Sequence, residues 1–446
     1  MTEHALPSAP AGEPKNMRTF LIIWIGQFIS MLGSGLTGFA IGVWIFQTTG
    51  KAMPFALTVL FGNLPGLLLM PVAGSLADRW NRKALMILAD SGNALISLAL
   101  FIFLLLGDLH TWQIYILVTI GSIFSAFQEP AYHASVSMIV PKKDLTRANG
   151  IAQTAQALQS ILTPLLAGGL FVTIGMQGII LIDFITYFFA VGALLIVRIP
   201  QPALQEEDKK QKGQVRQDLS FGWKYLRARQ GLFGLLWYFA MVNLLLNFAG
   251  ILTGPLVLSS HPASAYGLVQ TTLGAGLLTG GLLISTWGGP KTKRIPVLIG
   301  CIMASAVGVL IVGLNRQLVF PAVGFFVVML FVPIASSMSQ AVFQTKVAPE
   351  VQGRVFAVRG LIARSMMPIG YILSGWLADH VFEPLMSQGG ALASTPLGAL
   401  IGVGAGRGIG LMFIVAGVFG ITVSALVYLN PRVRKLEEEI PDALPG

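Results

Sequence analysis

Three carboxylates of this chain, Asp90, Glu129 and Asp183, stand inside long apolar runs. A charge at the centre of a membrane helix costs about 2.5–3.5 kcal/mol on insertion scales, so it persists where it is paired or useful. A carboxyl group so placed can take up and release a proton, which is what a reversible proton carrier must do. Glu129 lies in FQEPAYH, four residues before His133, so carboxylate and imidazole share one helical face. They form either a proton-exchanging pair or two solvated groups at a helix mouth. Asp183, in IILIDFITYFF, is read either as a carrier or as an interfacial residue near the end of its run. Asp90 lies about two turns, roughly 10 Å, beyond the basic stretch GSLADRWNRK at residues 74 to 83 and suits a structural or latching role.

That stretch holds a second kind of chemistry. Gly74 permits close helix approach, Asp78 can accept from a neighbouring helix N-terminus, and Arg82 can pair across an interface, with Arg79 beside them. The cluster is either a conformational latch or a stop signal in which Asp78 ends a helix and the cations hold topology. GWLADH at 375 to 380 repeats the Gly-x-Leu-Ala-Asp core, but Asp379 is followed by a long loop poor in cations. Arg364, in LIARSMMPIG, is the arginine the pattern places inside a span, either partnering a carboxylate or snorkelling to the surface.

The elements that must position these groups are membrane helices. The chain is 54% hydrophobic and 11% charged, against roughly 25% charged in a soluble domain. Apolar runs near the ~20 residues needed to cross a bilayer recur along the whole length. They give twelve spans, at 19–47, 53–77, 84–106, 112–138, 149–173, 178–198, 231–257, 264–287, 295–314, 319–340, 356–378 and 409–429. The expected organisation is a tail over 1–18, a six-helix bundle over 19–198, a linker over 199–230, a second bundle over 231–429 and a tail over 430–446. Alternating loops then put every lysine and arginine on one side except Lys51, Arg316, Arg364 and Arg407. By the positive-inside rule that side, with both termini, is cytoplasmic. The net charge of +10 follows from this bias and from attraction to an anionic leaflet, so no nucleic-acid partner is expected.

The linker opens with QEEDKKQKGQ and continues with Val215, Leu219 and Trp223 at four-residue spacing, as either a membrane-surface helix or a solvated one. The halves share residues at an offset of 207, Gly74 with Gly281 and Gly168 with Gly375 among them, as a parallel duplication would produce. Cys301 lies alone in an apolar run, and the N-terminal stretch shows no cleavage-type pattern. The motifs GxxxxGK[ST], HExxH and GxSxG are absent, so neither ATP hydrolysis nor another enzymatic activity is expected.

GSLADRWNRK resembles the loop between the second and third helices of the major facilitator superfamily, and span count, half-repeat and central linker agree with it. GQFISMLGSGLTGFAIGVWIFQTTG, SAFQEPAYHASVSMIVPKKDLTRANG and GRVFAVRGLIARSMMPIGYILSGWLADHVFEP resemble its drug:proton antiporter branch, which includes macrolide-efflux proteins and the enterobactin exporter. The resemblance implies an all-α membrane protein of two six-helix bundles, alternating access, and proton-driven export of a bulky amphipathic small molecule. It implies no cofactor beyond the proton gradient, and a monomer in the bacterial inner membrane. TPLLAGG in the fifth span is a degenerate form of the antiporter bend motif, with Pro164, Gly168 and Gly169 as its residues. The fourth-span arginine of many antiporters has no counterpart in HTWQIYILVTIGSIFSAF. A cavity lined by spans 1, 4, 7 and 10 is implied, with Gln27, Ser30, Asn243, Asn247, Ser336 and Gln340 as its polar residues. Dedicated export of an endogenous siderophore or peptide, and a transport-inactive receptor, are the alternatives. The glycine-rich loop after His380 is either an exit cap or a disordered connector.

Overall fold

A backbone in hydrocarbon must satisfy its polar groups internally, so apolar runs of this length fold as helices. The computed structural model describes residues 16–199, 212–290 and 292–443. The residues before Asn16 and most of QEEDKKQKGQ lie outside the described residues. The helices are α1 (Met17–Thr49), α2 (Ala52–Arg79), α3 (Arg82–Leu105), α4 (Thr111–Ile139), α5 (Leu145–Ile196), α6 (Lys212–Ala228), α7 (Gln230–Leu258), α8 (Ala263–Trp287), α9 (Arg294–Leu314), α10 (Val319–Lys346), α11 (Pro349–Leu377), α12 (Glu383–Met386), α13 (Pro396–Ile401), α14 (Arg407–Leu429), α15 (Pro431–Arg434) and α16 (Leu436–Glu439).

Eleven of these are long and apolar enough to cross a membrane. With 52 residues, α5 would run ~78 Å as one rod, more than twice the hydrocarbon core. It is broken at Gly175, where φ of 67° and ψ of −174° suit glycine and few other residues. The spans expected at 149–173 and 178–198 are its two segments. The protein is therefore an all-α, multi-pass membrane protein with its long helices arranged in two bundles.

The compact units do not divide at the linker. One comprises α1 up to Thr37, Phe61–Gln159 and the chain from Gln177 onward through the second segment of α5. In it Asn81 caps α3 by accepting from the amide of Ala84 at 3.0 Å. Lys83 donates to the carbonyls of Leu195 and Val197 at the end of α5, at 3.2 and 2.8 Å. A side chain at Gly33 would press against Asp183 and Thr186, so the absence of a Cβ there lets α1 close onto α5.

The second unit comprises Gly38–Leu60, Ser160–Met176 and the chain from the linker to the end. Thus the end of α1, the start of α2 and the end of the first α5 segment pack with the C-terminal helices. The reason is a set of close contacts. Phe55 lies in grooves left by Gly42 and Gly254, and Gly168 of α5 lies against Ser264 and Gly267 of α8. From the turn that follows α11, the two carboxylate oxygens of Asp379 accept the amides of Ala52 and Met53, each at 2.8 Å, while Gly375 of α11 lies against Met53. The repeated pentapeptide is here a clasp on the first turn of α2.

One face of the linker helix is covered by protein, while Gln217, Ser220, Lys224 and Arg227 on the other are exposed. Leu219, Trp223 and Leu226 of α6 pack into the core that α7 and α11 form, and Arg354 pairs with Asp218 at 2.8 Å. The side chains of Val215 and Arg216 lie outside the described residues. The segment after α14 also folds back. Lys346 reaches the carbonyls of Glu437 and Ile440 and the carboxylate of Asp442, while Val433 and Leu436 are buried.

The loop after His380 is ordered, against the connector reading. A π-helical turn, Ala378–Phe382, leads into α12, and Glu383 accepts the amides of Gly406 and Ile409 at 3.2 and 2.9 Å. Met386, Ile401 and Leu411 close over one another, and Arg407 is buried against the carbonyl of Gly313 at 2.7 Å.

Candidate functional site

In the first unit, α1, α3, α4 and the second segment of α5 hold two buried carboxyl groups among neutral partners. Asp90 of α3 is 4% exposed. Gln27 of α1 donates to its Oδ2 at 2.9 Å, Gln128 of α4 donates to its Oδ1, and Gln128 also donates to Gln27 Oε1 at 2.9 Å. Asp183 of α5 is 6% exposed. Ser97 of α3 donates to its Oδ2 at 2.7 Å and Ser34 of α1 to its Oδ1 at 3.1 Å, with the buried Thr37 beside them.

The two clusters share a register. Gln27 and Ser34 are seven residues apart on α1, as are Asp90 and Ser97 on α3. Seven residues are two turns, about 10 Å, and return to the same face. The carboxyl groups therefore sit at two levels along one seam. Between them Tyr187, one turn after Asp183 on α5, shares a 2.7 Å hydrogen bond with Ser91, the neighbour of Asp90. Among the described residues, neither carboxylate forms an ion pair.

Asp183 is packed between helices, with hydroxyl partners from α1 and α3 on its two oxygens. Asp90 is held by amides rather than by the basic stretch. Arg82 is buried and donates to the Ala134 carbonyl of α4 at 2.9 Å. The side chains of Gly74, Asp78 and Arg79, in the last turns of α2, lie outside the described residues. Glu129 and His133 are both exposed, and among the described residues no hydrogen bond joins them. Gln128, which holds Asp90, was not singled out in the sequence. Its signal there was its place beside Glu129 on a helix that already carried a carboxylate.

The other expected residues are dispersed. Asn243 and Asn247 of α7 donate to carbonyls one turn earlier on their own helix, at 2.8 and 2.7 Å. Ser30 is half-buried on α1 between Gln27 and Ser34, and Ser336 and Gln340 share an exposed face of α10. Gln340 is not free for a ligand. Arg359 of α11 donates to its Oε1 and to Ser339 Oγ, both at 2.9 Å, with its guanidinium 4.7 Å from the Phe343 ring centre. Arg364, which is exposed, is thus not alone among arginines in its helix. Pro164 and Gly168 line the contact with α8, Gly169 faces open space, and the one non-helical residue inside α5 is Gly175.

A family profile described as Major Facilitator Superfamily matches residues 23–371. The chain belongs to the major facilitator superfamily. As a superfamily member it is a membrane transporter of small solutes that draws on an ion gradient, and it is not an enzyme. It is 32% identical to macrolide efflux protein A of Streptococcus pyogenes over 372 residues, 81% of this chain and 90% of that protein. It is 27% identical to the enterobactin exporter EntS of Shigella flexneri over 192 residues, 43% of this chain and 45% of that one. In three dimensions it resembles a bacterial homologue of the human lysosomal transporter Spinster in an inward-facing, unoccupied conformation. The TM-score is 0.66 at 13% identity, over 96% of this chain and 99% of that one.

Proposed function

We propose that this superfamily member belongs to the drug:proton antiporter branch and exports bulky amphipathic compounds of the macrolide kind by alternating access. It does so as a monomer in the bacterial inner membrane, with both termini in the cytoplasm. The observation that carries the coupling is Asp183, a buried carboxyl group that accepts hydroxyls from two other helices and, among the described residues, forms no ion pair. A carboxylate bound to a cation stays charged through a cycle, whereas one held by hydroxyls can be filled and emptied by a proton. The similarity to a macrolide efflux protein over 81% of the chain supports the cargo class. The bias of lysine and arginine supports the orientation.

In this reading Asp183 is the carrier, while the exposed Glu129, His133 and Arg364 serve the path between it and the cytoplasm. Gly74, Asp78, Arg79, Arg82 and Asp90 form the inner gate. Gln27, Ser30, Asn243, Asn247 and Ser336 offer polar contacts to the cargo. The shorter similarity to an enterobactin exporter supports a second reading, export of an endogenous siderophore by the same machinery.

Expression in a macrolide-sensitive bacterium tests the first reading. The chain should raise the concentration of erythromycin that stops growth, and Asp183→Asn, at equal membrane abundance, should abolish the gain. Full protection by Asp183→Asn would remove the carrier assignment. Protection of siderophore secretion instead of macrolide resistance would favour the second reading.

A further inference from the structure

We infer that Arg359 is a recognition residue of the second unit, and that a bulky amphipathic cargo of this protein carries a carboxylate or another oxyanion that docks on it. The inference rests on the exporter reading and goes beyond it, since that reading leaves the charge of the cargo open and gives Arg359 no part.

The helices around Arg359 are poor in acids. α7, α8, α9 and α10 contain no aspartate or glutamate, and α11 has only Glu350, in its first turn. Of the three arginines of α11, Arg354 is paired with Asp218 at 2.8 Å. Arg359 stands nine residues beyond Glu350, roughly 14 Å along the helix. It is half-buried, and among the described residues it forms no ion pair. A cation held within apolar helices is costly unless it is paired or in use.

Neutral groups hold this one. Its Nη1 donates to Gln340 Oε1 and its Nη2 to Ser339 Oγ, each at 2.9 Å. The guanidinium carbon lies 4.7 Å from the ring centre of the fully buried Phe343 and 5.6 Å from that of Phe239. Ring faces attract a cation without cancelling its charge. A guanidinium has five N–H donors, and these two bonds leave three, which suit the paired acceptors of an oxyanion. The amide, the hydroxyl and the rings fix the fork in advance, so less entropy is lost when such a group arrives.

The surroundings suit an organic acid rather than a bare ion. α10 packs on α8 and α9, whereas α11 packs on α6 and α7, so Arg359 reaches across from one set of helices to the other. Ser336 and Gln340 are exposed one turn apart on α10, and on α7 Asn243 follows Phe239 by one turn. Aromatic carbon and neutral polar groups of this kind match the body of an amphipathic molecule whose acid end meets the guanidinium. Gln340 stands six residues, about 9 Å, from Lys346, at the end of α10 that meets the C-terminal tail. That end is the one proposed to face the cytoplasm, from which an exporter loads.

Equilibrium binding to the full chain in phosphatidylcholine nanodiscs tests the inference. The probes are fluorescein, an anionic xanthene dye with a carboxylate, and rhodamine 6G, a cationic xanthene ester, with polarisation read against empty discs. The native chain should bind fluorescein, and Arg359→Gln should lower the ratio of fluorescein to rhodamine affinity by about tenfold or more. Arg359→Lys, which restores the charge without the fork, should recover part of that ratio. An arginine that only staples α10 to α11 would, when removed, weaken both dyes together. An unchanged ratio in Arg359→Gln therefore overturns the inference, as does a native chain that does not bind fluorescein. Discs that also contain phosphatidylglycerol separate the two sources of an oxyanion. A ratio that still depends on Arg359 there supports a cargo, while loss of that dependence gives Arg359 to a lipid headgroup and overturns the cargo assignment. None of these outcomes depends on proton coupling. A native chain that binds fluorescein through Arg359 yet gives no protection against erythromycin counts against the macrolide reading and supports the acid site.

Discussion

At the scale of single residues, Asp183 depends on groups that are remote in the sequence. Ser34 and Ser97 lie 149 and 86 residues away from it, so its burial could not be read from IILIDFITYFF. What could be read was that a carboxylate stood in an apolar run and needed a reason. The reason also involves Gly33. A Cβ there would fall about 3.0 Å from Asp183 Oδ1 and closer still to the Thr186 hydroxyl. Gly33→Val should therefore push α1 off α5 and weaken the Ser34 contact, at a cost of about 1–3 kcal/mol. A lowered thermal midpoint in detergent checks this, and an unchanged midpoint would mean that the seam has slack. Arg359 shows the opposite limit. It falls near the start of the span read at 356–378 with no partner legible beside it, yet it binds Ser339 and Gln340, because α11 begins at Pro349 and carries it onto the face of α10.

At the scale of elements, the helices were legible because their length and apolar content are set by the bilayer. The break between the fifth and sixth spans was also visible, as a short glycine-containing gap, although one residue, Gly175, makes it. Less legible were the segments outside the bilayer. The loop after His380 reads as flexible from its glycines, but Glu383 holds the first turn of α14 and gives the loop a fixed end. Four residues earlier, Asp379 holds the first turn of α2. A carboxylate on the free amides of a helix N-terminus gains from both hydrogen bonds and the helix dipole. Asp379→Ala should cost about 1 kcal/mol and loosen the α2 end against α11. Faster thiol labelling of a cysteine placed at Met53 measures that loosening, and equal rates in the two backgrounds would show that Gly375 and Phe55 hold the contact alone.

At the scale of the whole molecule, the membrane class, the twelve spans and the superfamily were legible, since they follow from composition, periodicity and one loop motif. The division into compact units was not. It depends on where α1, α2 and α5 change neighbours along their length, and hydropathy carries no trace of that. The account's central claim is that export is driven by protons passing through Asp183. Inverted membrane vesicles carrying the full chain test it most directly, with an imposed pH gradient read by a fluorescent dye while a macrolide is added. The native chain should release protons on addition and Asp183→Asn should not, at equal abundance in the membrane. Proton release by Asp183→Asn at the native rate would contradict the claim.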